Sequence, residues 1–295
     1  MRWLCALLLA WSAAAPAQTW EQHLATGRKA LFAGNAAWAV QELERAAAKA
    51  GEAKAGEQAR IRFYLGIAQY DLGLYDRSEA SQREALAILE SQKPPDERAL
   101  AVVSHQLANA LQIQGRYREA EPFHRRSVAL TEGKPGADPL TLARSLNGLA
   151  SVLVPLGRQA EAQGLLKRAR ELLAEPNPRP DPDLADLIDL NLAESLRHQG
   201  RLQQAEGLYR KSLANLVKRA GATDLFAASA RLGLGLVLIA RGSADGEKLY
   251  RQGLAIYANR LGDKHPIVEQ YRDERARLPK RKCESSSATR ACPFR

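Results

Sequence analysis

Apolar residues never run on for the roughly 20 positions that a bilayer crossing needs. Aromatic residues make up only 6% of the chain, and cysteine occurs three times. A membrane-spanning helix is therefore not expected, and disulfide chemistry has few places to act. No stretch alternates β-branched with polar residues as a half-buried strand would, whereas Ala, Leu, Arg, Glu and Gln are plentiful. The chain is expected to be all-α.

Patterns that carry chemistry are missing too. The five histidines, His23, His105, His124, His198 and His265, show no HExxH or other metal-ligand spacing, and no serine sits in a GxSxG turn. Gly233-Leu234-Gly235 has the look of a fragment of a nucleotide-binding loop, but it follows no strand and falls inside a helical pattern, where close helix packing accounts for its glycines. The chain is expected not to be an enzyme and to need neither cofactor nor metal.

What is present is a repeat. Gly34, Gly73, Gly115, Gly157, Gly200 and Gly242 follow one another at separations of 39, 42, 42, 43 and 42 residues. Around Gly115 the text is LANALQIQGRYREAEPFHRRSVAL and around Gly200 it is LAESLRHQGRLQQAEGLYRKSLANL. Both units share a Leu-Ala pair, the glycine, an alanine five residues on, and a second apolar run. Leu107, Ala108 and Leu111 make one helix face, Gly115 permits the turn, and Tyr117, Ala120, Phe123 and Val128 make the facing stripe of a second helix. Breakers and caps stand between units: Pro94, Pro95 and Asp96; Asp138 and Pro139; the run from Pro176 to Asp183; Thr223 and Asp224; His265 and Pro266. Pro155 should end or bend the first helix of the fourth unit early.

This pattern resembles the tetratricopeptide repeat, and its long period, with LGDKHP and GADP between units, is similar to the kinesin-light-chain variety. The resemblance covers residues 19 to 262. It implies a right-handed superhelical solenoid of about six helical hairpins, spanning 18–262, followed by a polar capping helix over 263–279. Repeat one departs from the pattern with Thr26 and Gly27 in place of the Leu-Ala pair, and repeat six has Gly246 in place of the alanine.

The termini carry a different message. Met1 and Arg2, the apolar run from Trp3 to Trp11, and Ala15-Pro16-Ala17 are the three parts of a secretory signal peptide, 1–17, which would leave Gln18 as the first mature residue. Of the net charge of +10, half falls between Arg272 and Arg295, where eight Arg or Lys face Asp273, Glu274 and Glu284. The basic, Ser-rich tail 280–295 reads as disordered, either merely solvated or in weak contact with an anionic surface. It holds Cys283 and Cys292, which in an oxidising compartment either close a disulfide loop or stay free. Nucleic acid is a poor fit, since no basic groove interleaved with aromatics occurs.

By the same resemblance, the first helix of each hairpin lines a concave groove that binds a partner protein or peptide. The implied groove residues are Phe63, Ile67 and Tyr70 in repeat two; His105, Asn109 and Gln112 in repeat three; and Asn147, Ser151 and Val154 in repeat four. Repeats five and six add Leu190, Glu194 and Arg197, then Leu232, Leu236 and Ile239. The middle of the groove is polar and its flanks are apolar, a division suited to peptide backbones and anchoring side chains. The reading is an exported, non-enzymatic interaction module. Its alternative is a structural envelope component that docks by its ends or tail and leaves the groove unused. Sequencing of the protein from an exporting cell should begin at Gln18 or a near neighbour, and an intact Met1 in the cytoplasm would overturn export.

Overall fold

The computed structural model describes residues 18–134, 138–174 and 181–278. The signal segment, Cys283 and Cys292, the tail 280–295 and residues 176–180 of the Pro-rich connection lie outside the described residues.

Among the described residues there are thirteen helices and no strand. Twelve form six hairpins: α1 (Trp20–Phe32) with α2 (Ala36–Lys49), α3 (Ala55–Asp71) with α4 (Tyr75–Glu90), α5 (Glu97–Ile113) with α6 (Tyr117–Thr131), α7 (Pro139–Leu153) with α8 (Gln159–Ala174), α9 (Pro182–His198) with α10 (Leu202–Ala220), and α11 (Leu225–Ala240) with α12 (Gly246–Leu261). The thirteenth is α13 (Pro266–Arg277). Each hairpin packs on the next, so the all-α chain is a solenoid.

Local chemistry fixes both ends of these helices. The six turn glycines take φ between +74° and +87°, a region that a side chain would strain. The residue after each glycine donates back into the helix that has just ended, as Arg116 does to the Leu111 carbonyl at 3.0 Å and Ser243 to that of Leu238 at 2.8 Å. Asp96, Asp138, Asp181 and Asp224 accept backbone N–H groups at the starts of α5, α7, α9 and α11, each cap being worth about 1 kcal/mol. The helix α7 closes at Leu153, two residues before Pro155.

The two helices of a hairpin meet at one column of small residues. Seven residues before each turn glycine stand Gly27, Gly66, Ala108, Ala150, Ala193 and Gly235; facing them are Ala39, Ser78, Ala120, Ala162, Ala205 and Gly246. The facing alanines are 0% exposed and Ser78 is 1% exposed. A Cβ on Gly27 would lie 2.6 Å from Leu43 Cγ, and one on Gly246 would lie 2.8 Å from the Gly235 carbonyl oxygen. The irregular residues of repeats one and six are therefore fitted to their crossings. Gly233 and Gly235 have the same explanation. The first makes room for the Tyr209 ring and the second for the backbone of Tyr250.

From its polar sequence α13 is expected only to solvate the end of the stack. One flank does cover α12, with Val268 fully buried beside Tyr250 and Tyr257. The other flank lies against repeats two to five: Pro266 sits at the Gly115 turn, Gln270 accepts from Tyr117 and Glu274 from Arg197.

Two substitutions separate crowding from helix propensity. In Gly235→Ala the new Cβ falls 2.6 Å from Tyr250 N, so α12 must shift at a cost on the order of 1–3 kcal/mol, read as a lower melting temperature. Gly164→Ala, exposed in mid-helix with nothing within 4 Å of its Cβ, should instead raise stability by about 0.5–1 kcal/mol.

Candidate functional site

The positions that the resemblance implies for the groove fall into chemically different settings. Those of the middle repeats form a lateral ladder. Ser151 Oγ donates to Gln112 Oε1 at 2.9 Å, Asn191 Nδ2 donates to Asn147 Oδ1 at 2.9 Å, and Asn109 Nδ2 donates to Gln106 Oε1 at 3.2 Å. All are half-buried. Asn147 thus meets an asparagine of the next repeat, and the two amides tie α7 to α9.

Toward the N-terminus, α3 and α5 leave a cleft of about 460 Å³ between them. Phe63, Leu89 and Val103 give it an apolar floor, while Arg60, Tyr64, Gln92 and Arg98 stand on its rim. Arg60 is held by Glu57. Arg98 is exposed and has no polar partner among the described residues. Behind the rim, the Arg28 guanidinium lies 4.9 Å from the centre of the Tyr64 ring, a cation–π geometry. Arg98 and Tyr64 were not legible as groove residues, because they lie off the three positions that the resemblance implies. Ile67 packs against the core of repeats one and two, and Tyr70 stacks edge-on with Tyr75 at 5.3 Å.

His105 is half-buried. It packs edge-on against His124, centroids 5.2 Å apart, with its Nδ1 buried and unbonded. His124 is 0% exposed and neither ring nitrogen has a partner. A Cβ on Gly148 would lie 2.6 Å from His124 Cε1. Gly148 therefore leaves the room that this ring occupies.

Glu194 and Arg197 sit in the densest polar cluster. Arg197 donates to Glu194, to Glu274 of α13 at 2.5 Å and contacts His198 Nε2 at 3.1 Å, while the Tyr209 hydroxyl donates to Glu194. Burial works to raise the Glu194 carboxyl, but the Arg197 charge and the His198 bond outweigh it and hold the carboxyl well below its ordinary value. Burial first, and then the Glu194 charge, push the Tyr209 phenol up. Glu194, His198 and Glu274 also bring three potential metal-ligand atoms within 4.8 Å of one another, a constellation that the spacing of the histidines did not reveal because Glu274 comes from a distant helix. The Arg197 guanidinium bonds both carboxylates and itself supplies the positive charge there.

The apolar flank is the clearest correction. Leu232, Leu236 and Ile239 are at most 4% exposed, in a core closed by Tyr250, Tyr257 and Val268, and Val154 and Leu190 are buried as well. These residues hold the stack together and line no open surface.

Models of the tetratricopeptide repeat match residues 99–175 and 190–214. Over those residues the chain carries tetratricopeptide repeats. No curated protein matches it in sequence. Among solved structures it is similar to the apo form of RapI, with 16% identity over 88% of this chain and 92% of that one and a TM-score of 0.66. It is similar also to a Rap protein complexed with competence and sporulation factor, with 16% identity, 86% and 69% coverage and a TM-score of 0.66. The third is a kinesin light chain repeat protein from Podosopora anserina, with 20% identity, 70% and 97% coverage and a TM-score of 0.50. These likenesses are of fold.

The histidine pair should make stability depend on pH. Burial, and then the positive Arg144, pull His105 down to about 4; burial, and then His105, pull His124 well below its ordinary value. The folded state therefore refuses protons that the unfolded chain accepts below about 6.5. Stability is full above that pH and falls as pH drops toward 4. Scanning calorimetry should show a loss on the order of 2 kcal/mol between pH 7 and 4.5. His124→Leu should flatten that slope, and an unchanged slope in this variant would place its origin elsewhere.

Proposed function

We propose that the chain is an exported, non-enzymatic adaptor that holds a partner protein or peptide along the first helices of its repeats. The observation that carries this reading is the cleft between α3 and α5, because it joins an apolar floor to a rim of convergent polar groups on rigid helices. Phe63, Leu89 and Val103 would seat an apolar side chain of the partner. Arg98, Gln92 and the Tyr64 hydroxyl would meet its polar groups, and the amides of the Asn109 to Asn191 ladder would continue along its backbone. A neighbour of the same fold has been solved with competence and sporulation factor bound, and fold likeness extends that use here only by analogy. Export rests on the three-part leader, and the absence of a familiar catalytic motif supports a role in binding.

A second reading keeps a specific observation of its own. Phe32, Trp38 and Leu72 are 76%, 48% and 43% exposed at the turns of repeats one and two, an apolar edge by which a structural envelope component would dock end-on.

The test is capture of the mature chain's partner from its own cell envelope, followed by calorimetry. Arg98→Glu with Val102→Glu should raise Kd at least tenfold, equivalent to about 1.4 kcal/mol, with an unchanged melting temperature. Asn109→Ala with Asn147→Ala should weaken binding tenfold to thirtyfold, as expected for hydrogen bonds worth roughly 1 kcal/mol each. An unaltered Kd in both variants would move the binding surface off the groove. Loss of partner on truncating the tail alone would favour end docking.

A further inference from the structure

The segment that follows the last repeat reaches back over most of the others. His265 sets its ring 6.1 Å from that of Tyr75, and Pro266 Cβ lies 3.0 Å from where a Gly115 Cβ would stand. Farther along, Tyr117 donates its hydroxyl to Gln270 Oε1 at 2.9 Å and Arg197 donates to Glu274 at 2.5 Å. Gln270 and Glu274 are one helical turn apart and bond each other at 3.0 Å, so they form a single stripe on α13. The receiving groups belong to the repeats and are held there independently of α13. Arg197 is fixed by Glu194, itself bonded by Tyr209, and Tyr117 begins α6 beside the Gly115 turn. A phenol donor and a guanidinium at this spacing recognise an amide and a carboxylate four residues apart on a helix.

The grip on α13 is mostly peripheral. Only Val268 is buried outright; Ile267, Tyr271 and Leu278 pack against the core in part, Arg275 pairs with Glu247, and six of the twelve residues are charged. Beside it a cleft of about 520 Å³ opens between Pro155, His198 and the Glu269 and Asp273 side of the helix, so α13 does not fill the surface it lies on. Elements with few buried apolar contacts are those that open first.

We infer that this face is a helix-docking surface which α13 occupies in cis, and that the partner is a protein presenting a helix with an amide or carboxylate at i and i+4 in place of Gln270 and Glu274. The inference rests on the reading of the chain as a protein-binding adaptor. Binding of such a partner has to displace α13, so α13 lowers the apparent affinity by the fraction of time it is docked.

The experiment uses the full chain and, as probe, a fluorescein-labelled synthetic peptide of residues 264–278, followed by fluorescence anisotropy. The peptide should bind a Gln270→Ala, Glu274→Ala chain at least tenfold more tightly than the wild-type chain, whose own α13 competes. Adding Arg197→Gln to that variant should weaken the peptide at least tenfold. Hydrogen exchange gives a second reading: α13 amides should exchange at least tenfold faster in the double variant, with the amides of α5, α7 and α11 unchanged. Should α13 stay equally protected, its stripe does not hold it; should the peptide bind both chains alike, or ignore Arg197→Gln, the face is not a docking surface. Tyr117→Phe, which keeps the ring and removes one donor, repeats the test if the double variant loses protection throughout. No partner enters these measurements, so they can fail while groove binding stands, and groove binding can fail while they succeed.

Discussion

Two helices crossing almost in contact is the constraint from which each repeat is built. The crossing holds only Gly, Ala or Ser, as Gly66 with Ser78 and Gly235 with Gly246 show. Small side chains let the backbones approach until neighbouring Leu and Ile residues interdigitate, and that apolar burial, rather than helix propensity, holds the hairpin. Ser78 shows how narrow the allowance is: its hydroxyl spans the crossing to the Gly66 carbonyl at 2.7 Å, so its one polar group is satisfied where water cannot reach.

Once the crossing is fixed, everything on the outward side of each first helix repeats at the spacing of the stack. The same outcome is seen in two chemistries. On the inner side, amides and hydroxyls of successive repeats meet as Gln112 with Ser151 and Asn147 with Asn191. Along the turns, Arg116 reaches Glu79, Arg158 reaches Glu121 and Arg241 reaches Glu206, each pairing a turn with the second helix of the repeat before. Single exposed pairs of this kind contribute little. Their recurrence links successive repeats along the turns.

The hairpins were legible in the sequence because their determinants are local. A glycine with positive φ, an Asp cap and a small residue at a fixed offset each act within a turn or two, and all three appear in the text at a regular period. The groove was legible only in part. Asn109, Gln112, Asn147 and Ser151, which the resemblance implies for the groove, are half-buried, whereas Leu232, Leu236 and Ile239 are buried in the core. The helix that carries them, LFAASARLGLGLVLIA, has one charged residue, and a helix apolar all round is buried on all sides. That signal was available. The placement of α13 was not, since Gln270 meets a residue 153 positions away and Glu274 one 77 away. No local pattern announces such pairings. The contact of His105 with His124 has a comparable origin: the room for both rings comes from Gly148 on α7.

A row of repeats normally behaves as a one-dimensional lattice, in which each unit feels only its neighbours and the ends can fray without the middle noticing. The reach of α13 from repeat six to Tyr75 of repeat two changes that connectivity. The row acquires a clasp, and the path of force between its ends becomes a hoop. Pulling on either terminus loads the clasp beside the stacking interfaces, so the contacts of one short charged helix share load with the hydrophobic seams between units until they part.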